Sequence, residues 1–449
     1  MLTSDSSPPT VYAIDFGTSN SLCAAANEHR VFEPAPIDPL ADDPTILRTV
    51  FFFPNADNAF YGAEALKEYV AHGMVGRFIR SVKKHLPSRA FVGTNIDGRP
   101  MNLEDLIGAF LGAIRRRANA HFGTDVRRVV LGRPALFSES QADDRFAQYR
   151  LERAARLAGF EEIHFCPEPI AAAAHFRSTL EKRRLVLVGD FGGGTSDYTL
   201  MHLGPEPFDP GDVLAIGGVS VAGDKLDGSL MRGHVAGCFG ANVTYRVPMG
   251  SNLLTMPAML RSRLCSPADL SILRAPEVIS FLRDVERWSL GGDDARHMDQ
   301  LFVLIEDAQG FSLFEAIEQA KRALGEHERT DIVFRYPESN SRAVPAAIDV
   351  NEPVTRAQFE RGSSRETHAI LAALDDTLER AGVSGDDIDI VCLTGGTARV
   401  PHIARALESR FGRDKLTRTS ALQSVIGGLA LRAQAVAQES KHHPAPSAG

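Results

Sequence analysis

The sequence lacks the features that mark secreted, membrane-spanning and disulfide-stabilised proteins. Residues 1–10 have no basic start and no apolar run, so we expect no signal peptide. No stretch approaches the ~20 consecutive apolar residues that cross a bilayer. The five cysteines are odd in number and have no Cys-x-x-Cys spacing, which predicts reduced thiols in the cytoplasm rather than disulfides or a metal site.

Positive charge is also scarce. The 449 residues include 49 Lys and Arg against 57 Asp and Glu, which gives a formal net charge of −8, and eight of the basic residues are lysines. The chain therefore has no global basic field of the kind that holds nucleic acid. The content of 44% hydrophobic and 24% charged residues is that of an ordinary globular protein, which excludes wholesale disorder and a coiled coil.

Three common nucleotide-binding signatures are absent. The Walker-type Gly-x-x-x-x-Gly-Lys-Ser/Thr is missing, which excludes a P-loop as usually written. No Gly-x-Gly-x-x-Gly follows the first predicted strand, which disfavours a dinucleotide-binding fold. Asp-Phe-Gly triplets at 15–17 and 190–192 are typical of protein kinases, but neither a His-Arg-Asp loop nor a Val-Ala-Ile-Lys strand accompanies them.

What the sequence does contain is one strand–turn–strand pattern that occurs twice. Residues 11–26 pass from an apolar strand through Asp-Phe-Gly-Thr-Ser-Asn into a second strand, and residues 184–203 do so through Asp-Phe-Gly-Gly-Gly-Thr-Ser-Asp. Asp15 and Asp190 are 190 − 15 = 175 positions apart, which is too far for a solenoid repeat and suits two similar lobes.

Helical and strand patterns alternate along the rest of the chain, which indicates an α/β fold. Short apolar strands are predicted at 129–131 and 388–393. Residues 228–314 show mixed helix and loop signals with several Gly and Pro breaks. The predicted helices cover residues 103–122, 139–159, 312–325, 365–382, 400–411 and 421–437.

Each of the two turns has the composition of a phosphate-binding loop. Glycine lets the backbone approach a ligand closely, and successive N–H groups form an anion-binding concavity. Three consecutive glycines at 192–194 are costly in folding entropy, so contact with a ligand explains them better than a plain turn. Asp15 and Asp190, at the strand ends, are placed to hold a hydrated Mg²⁺. Two such turns facing each other would enclose a triphosphate and its metal.

Three further segments have less specific patterns. Prolines on both sides of Glu168 hold its backbone, and the alanines at 171–174 allow close helix packing, so this carboxylate is a candidate for orienting a water. Glu318 and Lys321 form an i, i+3 pair on one predicted helix face, where a solvated ion pair is the simpler interpretation. Residues 393–401 form a strand, a glycine turn and a helix start that can hold a flat base or a ribose.

In this order the five segments resemble the nucleotide-binding domain of the 70-kilodalton heat-shock chaperones, over about residues 11–435. That family belongs to the actin-like ATPase superfamily, and the resemblance implies two duplicated ribonuclease-H-like lobes with a nucleotide cleft between them. Residues 221–227 (Val-Ala-Gly-Asp-Lys-Leu-Asp) are similar to a nucleotide-binding segment of the family. Residues 81–84 (Ser-Val-Lys-Lys) resemble its segment with the catalytic lysine, which makes Lys83 the candidate and Lys84 the alternative.

The resemblance also implies a set of site residues. Asp15 and Asp190 would hold Mg²⁺ through waters, Lys83 would reach the γ-phosphate, and Glu168 and Asp197 would position the attacking water. The expected nucleotide-binding residues are Gly17, Thr18, Ser19, Asn20, Gly192, Gly193, Gly194, Thr195, Gly223, Glu318, Lys321, Gly325, Gly395, Gly396 and Arg399.

The resemblance also predicts the domain organisation. Lobe I would span 11–183, with an inner part at 11–37 and 120–183 and an outer part at 38–119. Lobe II would span 184–420, with an inner part at 184–227 and 315–420 and an enlarged outer part at 228–314. A C-terminal helix at 421–438 would return to lobe I, and residues 1–10 and 439–449 would be disordered.

Length separates this sequence from a conventional member of the family. Nothing after Gln438 reads as an interdomain linker or a peptide-binding domain, so the chain is similar to the short, stand-alone YegD-type branch. We therefore expect a cytoplasmic, monomeric protein that binds ATP and Mg²⁺, hydrolyses ATP weakly and acts as a chaperone or a nucleotide-gated interaction protein. Its partners would be the nucleotide and a protein client or co-chaperone, without nucleic acid or membrane.

Two other classes share part of the pattern. A filament-forming actin-like cytoskeletal protein has similar phosphate hairpins, but the chain length, Asn20 with Ser21, the Lys83 segment and the long insertion disfavour it. A small-molecule kinase would need an acceptor pocket with a catalytic Asp, and no such residue stands out.

Overall fold

A computed structural model of the protein describes most of the chain. The described residues are 7–72, 76–138, 140–177, 180–205, 210–267, 269–307, 309–339, 346–418 and 421–442. In chain order the strands are β1 (Val11–Phe16), β2 (Asn20–Ala26), β3 (Val31–Phe32), β4 (Leu47–Arg48), β5 (Val50–Phe53), β6 (Phe60–Tyr61), β7 (Arg77–Arg80), β8 (Gly93–Ile96), β9 (Arg99–Asn102), β10 (Arg128–Arg133), β11 (Glu162–Pro167), β12 (Arg184–Phe191), β13 (Ser196–Leu203), β14 (Val213–Val219), β15 (Thr244–Tyr245), β16 (Leu254–Thr255), β17 (Arg329–Ser339), β18 (Ala346–Thr355), β19 (Ile390–Thr394) and β20 (Leu416–Arg418).

The described residues also form α-helices and short 3₁₀ turns. The helices are α1 (Ala63–Ala71), α2 (Leu103–Phe122), α3 (Gln141–Leu157), α4 (Glu168–Arg177), α5 (Gly223–Leu230), α6 (Ala258–Leu264), α7 (Pro276–Trp288), α8 (Asp293–Glu306), α9 (Gly310–Glu326), α10 (Arg356–Gly362), α11 (Ser364–Ala381), α12 (Pro401–Phe411) and α13 (Ala421–His442). The fold is therefore mixed α/β, which confirms the predicted class.

The two predicted hairpins lie at the centres of two sheets with the same topology. In the first sheet the order is β11-β10-β1-β2-β3, with β4 also paired to β2. In the second the order is β20-β19-β12-β13-β14. In both sheets the hairpin strands are antiparallel, and the strand beside the first hairpin strand runs parallel to it. Each hairpin therefore places its turn at the carboxyl end of a neighbouring parallel strand.

The last helix joins the two sheets through a shared core. Helix α13 packs on α4 and on strands β1, β2 and β10 of the first sheet. The buried cluster that it forms includes Ala13 and Val130 from the first sheet and Val186 from the second. A Cβ at Gly428 would collide with the backbone carbonyl of Ala171, so glycine and alanine together allow α13 and α4 to approach closely. The alanine run after Glu168 therefore has the packing role that the sequence predicts.

Local sequence explains both boundaries of helix α2. Helix α2 covers the predicted residues 103–122, with a capping box between Asn102 and Asp105 at its start and Gly123 at φ 67° at its end. At the C-terminus the sequence prediction ends too early, because α13 continues past Gln438 to His442. At the N-terminus Asn27 Nδ2 donates to the Ser7 carbonyl at 2.9 Å, so residues 7–10 lie against β2 rather than being disordered. Residues 1–6 and 443–449 of the predicted tails lie outside the described residues.

Residues 228–314 are more helical than the sequence predicts. They hold the end of α5, a π-helical turn (Met231–Val235), and helices α6, α7 and α8, together with the short β15–β16 ladder. Their apolar residues join the core of the second sheet. Among the helices described, none combines the length and apolar character needed to cross a membrane.

Candidate functional site

A large cleft of about 1590 Å³ opens where the two hairpin turns meet. All the predicted site residues except Asp197 line it, including both turns, Lys83, Glu168 and the residues from α9 and from 395–399. Asp197 is the second residue of β13, paired in register with Asp190, and its side chain is 3% exposed beneath the cleft surface. The structure thus brings distant segments together around one cleft, as the sequence predicts. Asp197 lies beneath the residues that line the cleft.

The two glycine turns face each other directly. A Cβ built on Gly193 would lie 2.5 Å from Ser19 Oγ, and one built on Gly194 would lie 3.5 Å from Thr18 Oγ1. Glycine at 193 is therefore required by the opposing turn, not only by the turn in which it lies. Within the second turn, Gly192 N donates to the Thr195 carbonyl at 3.0 Å.

A threonine that the sequence analysis missed holds the first turn in place. Thr49 Oγ1 donates to the Gly17 carbonyl at 2.8 Å, and Thr49 N donates to the Ser19 carbonyl at 2.8 Å. Both bonds use carbonyl groups and leave the N–H groups of Gly17 and Ser19 out of these contacts. Nothing in the spacing indicates this role, because 30 residues separate Thr49 from Ser19 and only the strand pairing of β4 with β2 brings them together.

Four carboxylates lie near one another at the base of the cleft. Burial raises the pKa of Asp15 well above its usual range, and the charge of Glu168 raises it further. Burial and Glu168 also raise the pKa of Asp190 to about 6, although Thr394 Oγ1 donates to its Oδ1 at 2.7 Å. Burial likewise raises the pKa of Asp197. Thr394 is a second residue that the sequence analysis placed only as the end of a strand.

Lys83 is the cation of this group. Its Nζ donates to Glu168 Oε1 at 2.7 Å, and the two side chains are 8% and 10% exposed. Burial works to lower the pKa of Lys83, but Glu168 and Asp15 outweigh it and raise the pKa overall. Lys84 Nζ instead lies 3.3 Å from Asp269 Oδ1, and the Lys84 side chain is 31% exposed. The geometry therefore favours Lys83 over Lys84 as the lysine that acts in the cleft.

The backbone before Lys83 is in an unusual conformation. Ser81 has φ 54° and is 3% exposed, although it has a Cβ. Its Oγ donates to Asp224 Oδ2 at 3.2 Å, which connects the segment before Lys83 to the start of α5. Asp224 N in turn donates to the Gly193 carbonyl at 2.8 Å. Neither Ser81 nor Asp224 is among the site residues that the sequence predicts.

The pairing predicted on α9 differs from the one observed. Lys321 Nζ lies 2.8 Å from Asp227 Oδ1, on α5, whereas Glu318 pairs with Arg322 at 2.6 Å. The predicted i, i+3 pair of Glu318 and Lys321 is therefore wrong as a direct contact. Helix packing of α5 on α9 decides the outcome, because the buried Asp227 carboxylate offers Lys321 a partner that one helix alone cannot supply.

The turn at 395–396 closes the same side of the cleft. Gly395 has φ 86°, and a Cβ there would collide with the backbone of Phe191, so the turn packs directly behind the second glycine loop. Thr397 Oγ1 donates to the Gly192 carbonyl at 2.9 Å. Gly396, Gly325 and Arg399 line the cleft beyond this contact. Thr397 is a further residue that the sequence analysis missed.

These features define a mixed α/β protein with a polar cleft between two sheets of matching topology. The family model described as Hsp70 protein matches residues 61–242 and 306–444, and the chain belongs to the Hsp70 family. Residues 243–305, within the predicted insertion, fall outside the matched ranges.

Relatives with curated names agree with the family. Chaperone protein DnaK of Thermosipho melanesiensis is 23% identical over 432 residues, which cover 96% of this chain and 60% of the relative. Chaperone protein DnaK of Thermotoga neapolitana is 23% identical over 430 residues, with 95% and 59% covered. The chain thus spans about 60% of the length of these relatives.

Proposed function

We propose that this chain binds ATP with Mg²⁺ in the cleft and hydrolyses the nucleotide slowly. The observation that carries this proposal is the meeting of the two glycine turns, at Ser19 and Gly193, above a buried group of carboxylates with Lys83 among them. A pair of glycine turns offers backbone N–H groups to phosphates, and the carboxylates suit a divalent cation. Family membership supports the same ligand.

The carboxylate group fits a magnesium ion held mainly through water and phosphate oxygens. Asp15 and Asp190 have raised pKa values because neighbouring carboxylates and burial disfavour their charged forms, and a divalent cation would remove that penalty. Within the described residues no group of three or more His, Cys, Asp or Glu is arranged to hold a metal by itself. Asp15 and Asp190 would hold Mg²⁺ through waters, and the ion would neutralise phosphate charge.

The residues of the chain have distinct tasks in this proposal. Thr18, Ser19 and the N–H groups of the second turn bind the phosphates. Lys83 carries its charge toward the γ-phosphate while remaining bonded to Glu168. Glu168 orients the attacking water, and Asp197 assists from behind Asp190. Phosphoryl transfer needs positioning and charge neutralisation more than covalent chemistry, which this arrangement supplies.

Two further proposals concern architecture and partners. The matching strand orders support duplicated ribonuclease-H-like lobes at 11–183 and 184–420, in an actin-like ATPase fold, with α13 returning to the first. Nucleotide would shift closure of the lobes by making different contacts in the open and closed forms. Because the matched relatives are named chaperone proteins, we propose a protein client or co-chaperone as the partner that senses this closure.

Thermal unfolding with and without ATP and Mg²⁺ tests the binding step. Ligand at about 100 times its dissociation constant should stabilise the protein by ~2.7 kcal/mol. ATP with EDTA should stabilise less than ATP with Mg²⁺ because the carboxylates then lack their cation. No shift at millimolar ATP and Mg²⁺ would contradict the proposal, and phosphate release by the wild type measures the slow hydrolysis.

A further inference from the structure

One arginine in the wall of the cleft has no role in the mechanism above. Arg80 is the last residue of β7 and lines the cleft three residues before Lys83. Its guanidinium carbon lies 5.6 Å from the centre of the Phe311 ring, and Phe78 packs on the same ring at 4.5 Å. The Arg80 side chain is therefore held by packing on Phe311 and does not extend into solvent.

The guanidinium is held but not fully bonded. Arg80 Nη1 is buried and has no hydrogen-bond partner among the residues that the structure describes. Leaving a buried N–H group without a partner is energetically costly, so such groups are usually satisfied by a ligand or by water. This atom belongs to a side chain that faces a cleft built for a ligand.

The surface facing Arg80 is one face of α9, on which Glu318 and Arg322 line the cleft. Phe311, Glu315, Glu318 and Arg322 follow each other at intervals of four, three and four residues, so they form one stripe along the helix. Glu318 feels the charge of Arg80, which together with the larger effects of Lys321 and Arg322 lowers the pKa of Glu318 against the opposing effect of burial. The carboxylate of Glu318 is thus charged and lies within electrostatic range of an incompletely bonded guanidinium.

The donor and acceptor chemistry restricts which part of a nucleotide can lie between Arg80 and Glu318. Arg80 can only donate and the charged Glu318 can only accept, so a group between them must accept from one side and donate to the other. A phosphate is disfavoured there because Glu318 repels it. Sugar hydroxyls are the part of a nucleotide in which one oxygen both donates and accepts. We propose that Arg80 is a nucleotide-binding residue that donates to the ribose hydroxyl oxygens, whose hydrogens Glu318 accepts.

This inference rests on the proposed function, and a matched arginine makes it testable. Arg48 also reaches across to α9, where its two terminal nitrogens bond Glu315 at 3.1 and 3.3 Å, but Arg48 does not line the cleft. Arg48→Met therefore removes a contact between the two sides, whereas Arg80→Met removes a contact to the ligand. Arg80→Lys keeps the charge and the stem and guards against loss of folding.

The experiment measures dissociation constants for ATP and for 2′,3′-dideoxy-ATP, both with Mg²⁺, by calorimetry. Arg80→Met should weaken ATP binding about tenfold or more and leave dideoxy-ATP binding nearly unchanged, because a charge-assisted hydrogen bond is lost only where the hydroxyls exist. Arg80→Lys should show a smaller loss of the same kind. Arg48→Met should change both nucleotides by one common factor.

The outcomes separate the two proposals. Equal weakening of both nucleotides by Arg80→Met would overturn the ribose assignment, since the guanidinium would then act on the base, on the phosphates or on closure. Unchanged ATP binding in a folded Arg80→Met or Arg80→Lys variant would overturn any nucleotide contact while the proposed function stands. A wild type that binds neither nucleotide would refute both. Coupling between Arg80→Met and Glu318→Gln, with effects that do not add, would support a shared hydroxyl.

Discussion

Lys83 Nζ and Glu168 Oε1 lie 2.7 Å apart in a nearly solvent-free position, although 85 residues separate them in the chain. Lys83 comes from the turn after β7, and Glu168 is the first residue of α4. The pair joins an outer segment to the base of the cleft. It also places the positive charge that lowers the pKa of Asp15 and Asp190 against the larger effects that raise it.

Loss of Lys83 should therefore be costly before any nucleotide is added. Lys83→Met leaves Glu168 buried without its partner, and removing one member of a buried pair costs about 3–5 kcal/mol. We expect a loss of that order in the free energy of unfolding at pH 8, measured by urea denaturation without ligand. The loss should be smaller near pH 5, because the raised pKa values of Asp15 and Asp190 favour their protonation there. Fewer buried negative charges are then left without the Lys83 cation.

Lys84→Met is the matched control because Lys84 is adjacent and more exposed. Its pair with Asp269 is 3.3 Å long and the two side chains are 31% and 35% exposed, so at most about 1 kcal/mol should be lost. ATP hydrolysis should disappear in Lys83→Met and persist in Lys84→Met. The reverse pattern would show that Lys84 is the lysine that acts on the phosphate.

Glu168→Gln should separate binding from hydrolysis. The amide keeps an oxygen that can accept from Lys83 but cannot take a proton from water, so we expect hydrolysis to slow by about 100-fold or more. The dissociation constant for ATP and Mg²⁺ should change by less than about threefold. Single-turnover phosphate release and calorimetry measure the two quantities, and unchanged hydrolysis would exclude Glu168 as the water-positioning residue.

The same variant offers a route to the partner. If nucleotide closure controls binding of another protein, Glu168→Gln should hold that protein longer in the presence of ATP. Co-purification with ATP and with ADP would be compared for the variant and the wild type. Equal recovery in both nucleotides would argue against nucleotide-gated partner binding.

Asp190 should reduce the stability of the ligand-free protein at neutral pH. Burial, with Glu168, raises the pKa of Asp190 from 3.8 to about 6, so the folded state holds this proton more tightly than the unfolded chain. This tighter binding of the proton stabilises the folded state fully below pH 4, and the stabilisation is lost as the pH rises through 6. Asp190→Asn should therefore raise the free energy of unfolding at pH 7.5 by about 2–3 kcal/mol, and by nearly nothing at pH 4.

Urea denaturation with EDTA at the two pH values makes this measurement, and Asp387→Asn is the control. Hydrogen bonds from Ser384 lower the pKa of the exposed Asp387, so its replacement should act in the opposite direction, with a small loss at pH 7.5. Asp190→Asn should also weaken the dependence of ATP binding on Mg²⁺. A destabilised Asp190→Asn variant at pH 7.5 would contradict the raised pKa.

The opposing glycine turns provide a steric test. Gly193→Ala would place a Cβ 2.5 Å from Ser19 Oγ, whereas Gly192→Ala meets the Thr195 carbonyl at an ordinary 3.5 Å. We expect Gly193→Ala to weaken ATP binding at least tenfold more than Gly192→Ala, because only the former separates the turns. The double variant Gly193→Ala with Ser19→Ala should recover part of the loss, since Ser19 Cβ is 3.9 Å away. Equal effects of both glycine variants would show that the turns do not meet in the nucleotide-bound protein.

Much of the fold was predictable because its signals are local. The hairpins around Asp15 and Asp190 follow from apolar runs that stop at Asp-Phe-Gly, and helices such as α2 follow from periodicity and caps. Residues 228–314 were harder to interpret, because their glycines and prolines separate several short helices instead of ending one long helix. The two glycine turns could be inferred from the residues themselves, because a run of glycines is costly in folding entropy unless it contacts a ligand. Lys83, Glu318, Lys321 and Arg399 were expected in the cleft only through the family resemblance.

The contacts between segments were not predictable from spacing. Lys321 forms its ion pair with Asp227 instead of Glu318 because α5 packs on α9. Thr49, Thr394 and Ser81 act through hydrogen bonds to groups that are distant in sequence. Polar residues such as these are frequent on any surface, so their types carry no signal until the fold supplies a partner.

The sequence by itself therefore determined the two turns, the order of the elements and the family to which they point. These features depend on neighbouring residues, whose hydrophobic spacing and glycine content decide local backbone conformation. Only the tertiary structure decided which lysine meets Glu168, that Asp197 lies beneath the cleft surface, and that Arg80 faces α9 with a buried, unbonded nitrogen. Those outcomes depend on packing between sheets and helices, where burial makes each unpaired charge or donor costly enough to select its partner.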